Sequence, residues 1–245
     1  MSTPGWPVTS INVISRVAVV PTPPLLVPEL AAGAAGETAE VREACLAAVR
    51  AVASEHPRWI AVGAGPVAVE FGAGARGNFR GYGVDVPVAL SAESRNPEAG
   101  LPLPALIAGW LRDRAGASSV RVSVLDQTTP TADCVSAGKR LDAEETDLGL
   151  LILGDGSYRH GPRAPGGEDE RATAFDDAVA QALGTADVEA LLSLDVTLAG
   201  ELGAGGRVPW QVLAGLAGSA RWQAELLYSG APLGVGYHVA LWERA

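Results

Sequence analysis

Apolar and polar residues recur along the chain with two periods, and each stretch of regular spacing predicts an element. Residues 13–20 alternate loosely and are rich in β-branched side chains, which predicts a first strand. Pro21-Thr22-Pro23-Pro24 follows, with a further proline at 28; these prolines argue against a helix and predict an extended loop at the strand's C-terminal end. Over residues 37–54 Val41, Cys45, Ala48, Val49 and Val52 form one apolar stripe at helical spacing. Residues 59–63 supply a second strand. The next segment, Gly63-Ala64-Gly65-Pro66-Val67-Ala68, superficially matches a dinucleotide-binding fingerprint, but the long helix that such a fingerprint needs does not follow it. It reads as a glycine-rich bend into an irregular surface loop that runs on to Gly83.

Further along, residues 84–90 predict a short strand and 103–114 a helix with Leu106, Ile107, Trp110 and Leu111 inward. Residues 120–125 alternate as another strand, and 133–145 make a polar helix. The apolar run 148–153 is short and unbroken, as in a strand buried on both faces. Phe175, Val179 and Leu183 then mark a helix over 168–183, followed by helices at 187–194 and 209–217. Segments 221–228 and 235–242, separated by Ser229-Gly230-Ala231-Pro232, predict a closing hairpin. Strand and helix in alternation, ending in a hairpin, predict a three-layer α/β/α domain around a central mixed sheet. Residues 1–12 read as a loose tail and 13–245 as a single domain.

Composition narrows the partners. With 28 acidic against 18 basic residues the net charge is −10, and Lys139 is the one lysine, so a phosphate backbone would be repelled and nucleic acid is not expected as a partner. A hydrophobic fraction of 48% with 19% charged residues is that of a folded globule. No stretch approaches the roughly 20 apolar residues that span a bilayer, and the N-terminus lacks the pattern of a signal peptide. The expectation is a cytoplasmic protein with no membrane partner. Cys45 and Cys134 lack metal-ligand spacing and read as reduced thiols. Nothing in these totals argues against a homo-oligomer.

Candidate chemistry concentrates where the 148–153 strand ends. Gly154-Asp155-Gly156-Ser157-Tyr158-Arg159-His160, with Arg163, is the densest cluster of reactive side chains in an alanine-rich chain. Asp155, Tyr158 and His160 are the candidate catalytic residues. Thr22, Ser157, Arg159 and Arg163 are the candidate ligand-binding residues, and the ligand expected is a small polar or anionic molecule, because a guanidinium holds a carboxylate through two parallel hydrogen bonds. Thr22 and the 155–160 loop should face one shared pocket at the end of the sheet where α/β proteins bind ligands. A purely structural loop is the competing reading: Asp155 satisfying backbone amides, Ser157 capping, and the arginines pairing with surface carboxylates. Of the other two histidines, His56 reads as a solvated helix end and His238 as a packed or hydrogen-bonded core residue.

Taken together, Val20-Pro21-Thr22-Pro23-Pro24-Leu25-Leu26-Val27-Pro28-Glu29-Leu30, Gly154-Asp155-Gly156-Ser157 and Trp210-Gln211-Val212-Leu213 resemble the class III extradiol ring-cleavage dioxygenase superfamily, the LigB-like fold, and within it an alanine-rich actinobacterial branch. The resemblance implies a phosphorylase/hydrolase-like three-layer fold and, in its active members, a ferrous ion held by two histidines and a carboxylate. Where that family has its first metal histidine this chain has Thr22. Where the second is expected stands Gly63-Ala64-Gly65, and the place of the acid-base histidine falls on Tyr158. Glu201 is the nearest candidate for the metal carboxylate. The expectation is therefore a divergent member with no metal ligands and no cofactor; the alternative is an Fe(II)-dependent extradiol dioxygenase, an oxidoreductase with a rearranged site built from Glu201, Asp155 and His160. Whether the chain is an enzyme stays open between these.

Overall fold

The computed structural model describes residues 14–31, 33, 35–143 and 147–245; the expected N-terminal tail lies outside them. Among the described residues nine strands are formed: β1 (Arg16–Val20), β2 (Arg58–Gly65), β3 (Val69–Phe71), β4 (Arg76–Asn78), β5 (Pro87–Ala89), β6 (Ser119–Asp126), β7 (Gly149–Leu153), β8 (Trp222–Gly230) and β9 (Tyr237–Arg244). Seven of them build one mixed sheet in the order β3-β6-β2-β7-β1-β9-β8, and β4 with β5 makes a separate two-stranded ribbon. β7 lies at the centre with all five residues buried, as its unbroken apolar run demands. It pairs in parallel with β1 and with β2, and β2 pairs in parallel with β6. Within the seven-stranded sheet three pairings are antiparallel, β3 on β6, β9 on β1 and β8 on β9, and the last is the expected terminal hairpin.

Successive side chains of β7 point to opposite faces, and each face has its own apolar layer. Leu151 and Leu153 join Val41, Cys45 and Val49 of α2 (Ala39–Ala53) and Leu106, Ile107 and Leu111 of α3 (Leu103–Ala115). Leu150 and Ile152 face Phe175 and Val179 of α5 (Arg171–Thr185) and Val212 and Leu213 of α8 (Arg207–Ala217). Each such leucine or isoleucine contributes roughly 1.5–3 kcal/mol by leaving water. On the second face α8 is buried along its whole length and lies backbone to backbone against α4 (Thr131–Asp142), where a Cβ on Gly215 would come 2.6 Å from the Val135 Cα. The result is the three-layer α/β/α architecture with a mixed sheet.

Several local expectations are corrected. The proline-rich loop after β1 is not wholly extended: it holds a 3₁₀ turn at Pro24–Leu26 and a one-turn helix, α1 (Pro28–Ala31). Proline suits the first position of a helix, where its missing N–H has no partner to lose. The glycine-rich stretch after β2 carries β3 as an edge strand and then β4, rather than irregular loop alone. Between α6 (Val188–Leu192) and α8 there is an unexpected helix, α7 (Val196–Leu202), whose N-cap Asp195 accepts the Leu198 N–H at 2.7 Å. His56 is not solvated. Ser15 before β1 and Asp147 before β7 converge on it at the sheet's N-terminal end, with Ser15 Oγ at 2.9 Å and Asp147 Oδ1 at 2.5 Å.

Candidate functional site

Because β1 and β7 are parallel neighbours with Val20 opposite Leu153, the chain leaves both at the same height. Thr22 and Asp155 therefore meet. The Thr22 N–H donates to Asp155 Oδ1 at 2.7 Å and the Thr22 hydroxyl to Oδ2 at 2.9 Å. β9 runs the opposite way, so its first residues, Tyr237 and His238, arrive at this end too. Burial pushes the Asp155 carboxyl above its ordinary pKa and the nearby Asp176 adds to the rise, while the Thr22 donors and His238 pull it back. Burial and the Asp155 charge likewise push the Tyr237 phenol well up.

The 155–160 loop continues the sheet. Gly156 N–H donates to Gly236 O at 2.8 Å, Gly236 N–H to Ser157 O at 2.7 Å, and His160 N–H to Gly234 O at 3.1 Å. Into this seam α5 inserts Asp176, so close that a Cβ on Gly156 would lie 2.5 Å from its Oδ1. Only glycine leaves room there. The Asp176 carboxylate accepts the Ser157 N–H, 3.1 Å from either oxygen, and lies 2.6 Å from His160 Nε2. His238 Nε2 is 3.5 Å from Asp176 Oδ1, and His238 Nδ1 is 3.0 Å from Ser229 Oγ. His238 and Asp176 are buried, whereas the His160 side chain keeps 15% of its surface exposed.

His160 lines a cavity of about 360 Å³ together with Arg163, Glu37, Pro162 and Leu233. A carboxylate on Nε2 makes that nitrogen the donor, which leaves Nδ1 as the basic atom of the neutral ring. Among the described residues Nδ1 has no hydrogen-bond partner. The pair is thus an imidazole oriented by a buried carboxylate, with its second ring nitrogen free to exchange a proton.

The other expected residues fall elsewhere. Ser157 is fully buried; its hydroxyl donates to Leu202 O at 3.0 Å and accepts the Arg159 N–H at 3.1 Å, so it holds the loop's shape. The Tyr158 ring is clamped between Gly166 and Gly203, where any Cβ would collide with it, and it lines a second cavity that shares no lining residue with the one beside His160. Arg159 has its guanidinium carbon 5.9 Å from the Tyr158 ring centroid, and its buried Nε has no hydrogen-bond partner among the described residues. Glu201 sits on α7 at the surface, paired with Arg171 at 2.8 Å. The structure therefore joins Thr22 to Asp155, though Thr22 lines neither of these two cavities, and joins Ser157 to His160 through Asp176, but separates Tyr158 from His160 and Arg163.

Asp176 was missed by sequence reasoning, yet it left a signal. It occupies the buried stripe of α5 beside Phe175 and Val179, an acidic residue at a core position. Such a placement requires partners.

No protein-family model matches the chain, and no curated protein matches it. Among solved structures the fold is similar to the crystal structure of uncharacterized protein JW3007 from Escherichia coli K12, with a TM-score of 0.57 and 13% identity over 94% of this chain and 99% of that one. At that identity the likeness carries the fold alone. No helix among the described residues is long and apolar enough to cross a membrane.

The donor set does not fit the ferrous ion of the alternative reading. Among the described residues no group of three His, Cys, Asp or Glu side chains is placed to hold a metal ion, and Glu201, Asp155 and His160 are all described. Both Asp155 oxygens already accept from Thr22, and Glu201 is engaged by Arg171.

Proposed function

We propose that the chain is a divergent member of the class III extradiol ring-cleavage dioxygenase superfamily that works without the usual ferrous site, binding a small anionic molecule beside His160 and exchanging a proton with it. The 2.6 Å contact between His160 Nε2 and Asp176 carries this reading, because it joins an accessible imidazole to a buried carboxylate. In the cavity Arg163 is the exposed cation that can hold a carboxylate or phosphate of the ligand. Nδ1 of His160 then takes a proton from the bound molecule, while Asp176 holds the ring in place through Nε2. His238, behind Asp176, helps keep that carboxylate in place. Support for the family reading lies in the positions of the loops after β1 and β7, which meet at one end of the sheet where the superfamily builds its sites.

Two measurements on the full chain test this. Histidine-ring NMR during titration with benzoate should shift the His160 signals in the native chain, and Arg163→Ala should weaken the effect. Unmoved His160 signals at saturating benzoate would refute the anion-site assignment. Separately, anaerobic reconstitution with ferrous iron followed by oxygen and a panel of catechols should give neither stoichiometric iron nor ring-opened product. Stoichiometric iron with the yellow product would restore the dioxygenase alternative.

A further inference from the structure

The cavity that Tyr158 lines holds an arginine that the reading above does not use. Arg207 opens α8 and is only 3% exposed. Its guanidinium donates to Thr129 O at 3.0 Å and Gln211 Oε1 at 3.0 Å through Nη1, and to Gln127 O at 2.8 Å through Nη2. The Cys134 thiol lies beside it. All three oxygens are neutral, and among the described residues no carboxylate pairs with Arg207, in a chain with ten more acidic than basic residues. A buried charge without a countercharge is expensive, and neutral carbonyls offset it only in part. A guanidinium has five N–H donors, of which these bonds take three and the Cys134 sulfur faces another.

Arg207 lines the second cavity, about 320 Å³, with Gln127, Thr128, Tyr158, Val196 and Val208. Gly203-Ala204-Gly205 brings backbone close to its wall just before α8, and an 11-residue helix adds the positive end of its dipole there. The Val196, Ala199 and Val208 side chains are apolar. We infer that this cavity is a second ligand site, taking an oxyanion, carboxylate or phosphate, carried on a small apolar or aromatic body. The oxyanion supplies the countercharge that Arg207 lacks, and the valine and tyrosine walls take the organic part. Gly206 N–H donates to Asp155 O at 2.8 Å, so the cavity's glycine turn is tied directly to the loop that carries His160.

Inorganic phosphate and benzoate, titrated separately into the full chain, test the site and tell the two oxyanions apart. Amide NMR should show saturable binding of at least one probe with a dissociation constant of about 1 mM or tighter, centred on Gly205 and Val208. Gly200 lines the cavity with nothing within 4 Å of a Cβ built on it, so Gly200→Leu fills the space without disturbing a packed neighbour. It should weaken binding by about tenfold or more with an unchanged unfolding midpoint. Arg207→Lys keeps the charge and loses the fork, and should weaken binding too. His160→Ala should leave this binding intact, which separates the site from the cavity beside His160. Failure of both probes to saturate, native-like binding by Gly200→Leu, or loss of binding in His160→Ala would each overturn the inference.

Discussion

Replacing Asp176 by alanine is the most informative perturbation of this fold, because one side chain from α5 holds the loop, His160 and the start of β9 together. The carboxylate accepts the Ser157 N–H at 3.1 Å and meets His160 Nε2 at 2.6 Å, all in a buried seam. Hydrogen bonds to a charged group contribute about 1.5–3 kcal/mol each, so two partners sum to roughly 3–6 kcal/mol. Both partners are lost together in Asp176→Ala, which places its cost in that range. Asp176→Asn should cost less, about 1–3 kcal/mol: its carbonyl oxygen still accepts the Ser157 N–H, but its amide meets His160 Nε2 as a donor and forces the other tautomer. Urea unfolding followed by tryptophan fluorescence measures both losses. A double-mutant cycle with His160→Ala should show a coupling of about 1–3 kcal/mol. If Asp176→Ala costs less than about 1 kcal/mol, the seam does not depend on this carboxylate and the His160 assignment loses its anchor.

Three further outcomes follow from particular contacts. Asp155 has a raised pKa, so the fold favours its protonated form: its contribution to stability is full below the ordinary value of 3.8 and is lost as pH rises through the folded value. The thermal midpoint of the native chain relative to Asp155→Asn should therefore fall as pH is raised from about 4 towards neutrality, and a gap that widened in favour of the native chain would contradict this. Gly138 packs against α8 so closely that a Cβ would strike the Val212 carbonyl oxygen; Gly138→Ala should cost about 1–3 kcal/mol in urea unfolding, and a neutral result would show that α4 can shift freely. Glu201→Gln breaks only a surface pair with Arg171, so the midpoint should stay where it is; a fall of several degrees would mean that α7 relies on that pair.

Local pattern determined the layers of this protein. A six-residue apolar run can be satisfied only by burial on both faces, so residues 148–153 announce a central strand, and the apolar stripe of residues 41–52 announces a helix on a sheet. The same local chemistry placed Asp155 and Thr22 after parallel strands and so at one end. Partnership across the sheet was not legible, because hydrogen bonds between residues far apart in sequence depend on strand order and register. His160 and Asp176 are 16 residues apart in the chain, and nothing in their spacing says that α5 turns the carboxylate into the loop. His238 reaches the same place only because β9 runs antiparallel beside β1. Tyr158 and His160 are two residues apart, yet the Gly166 and Gly203 clamp turns the tyrosine ring to a different cavity. Arg207 looks in sequence like any surface arginine at a helix start, and only the packing of α8 against the sheet and α4 buries its charge away from every carboxylate described.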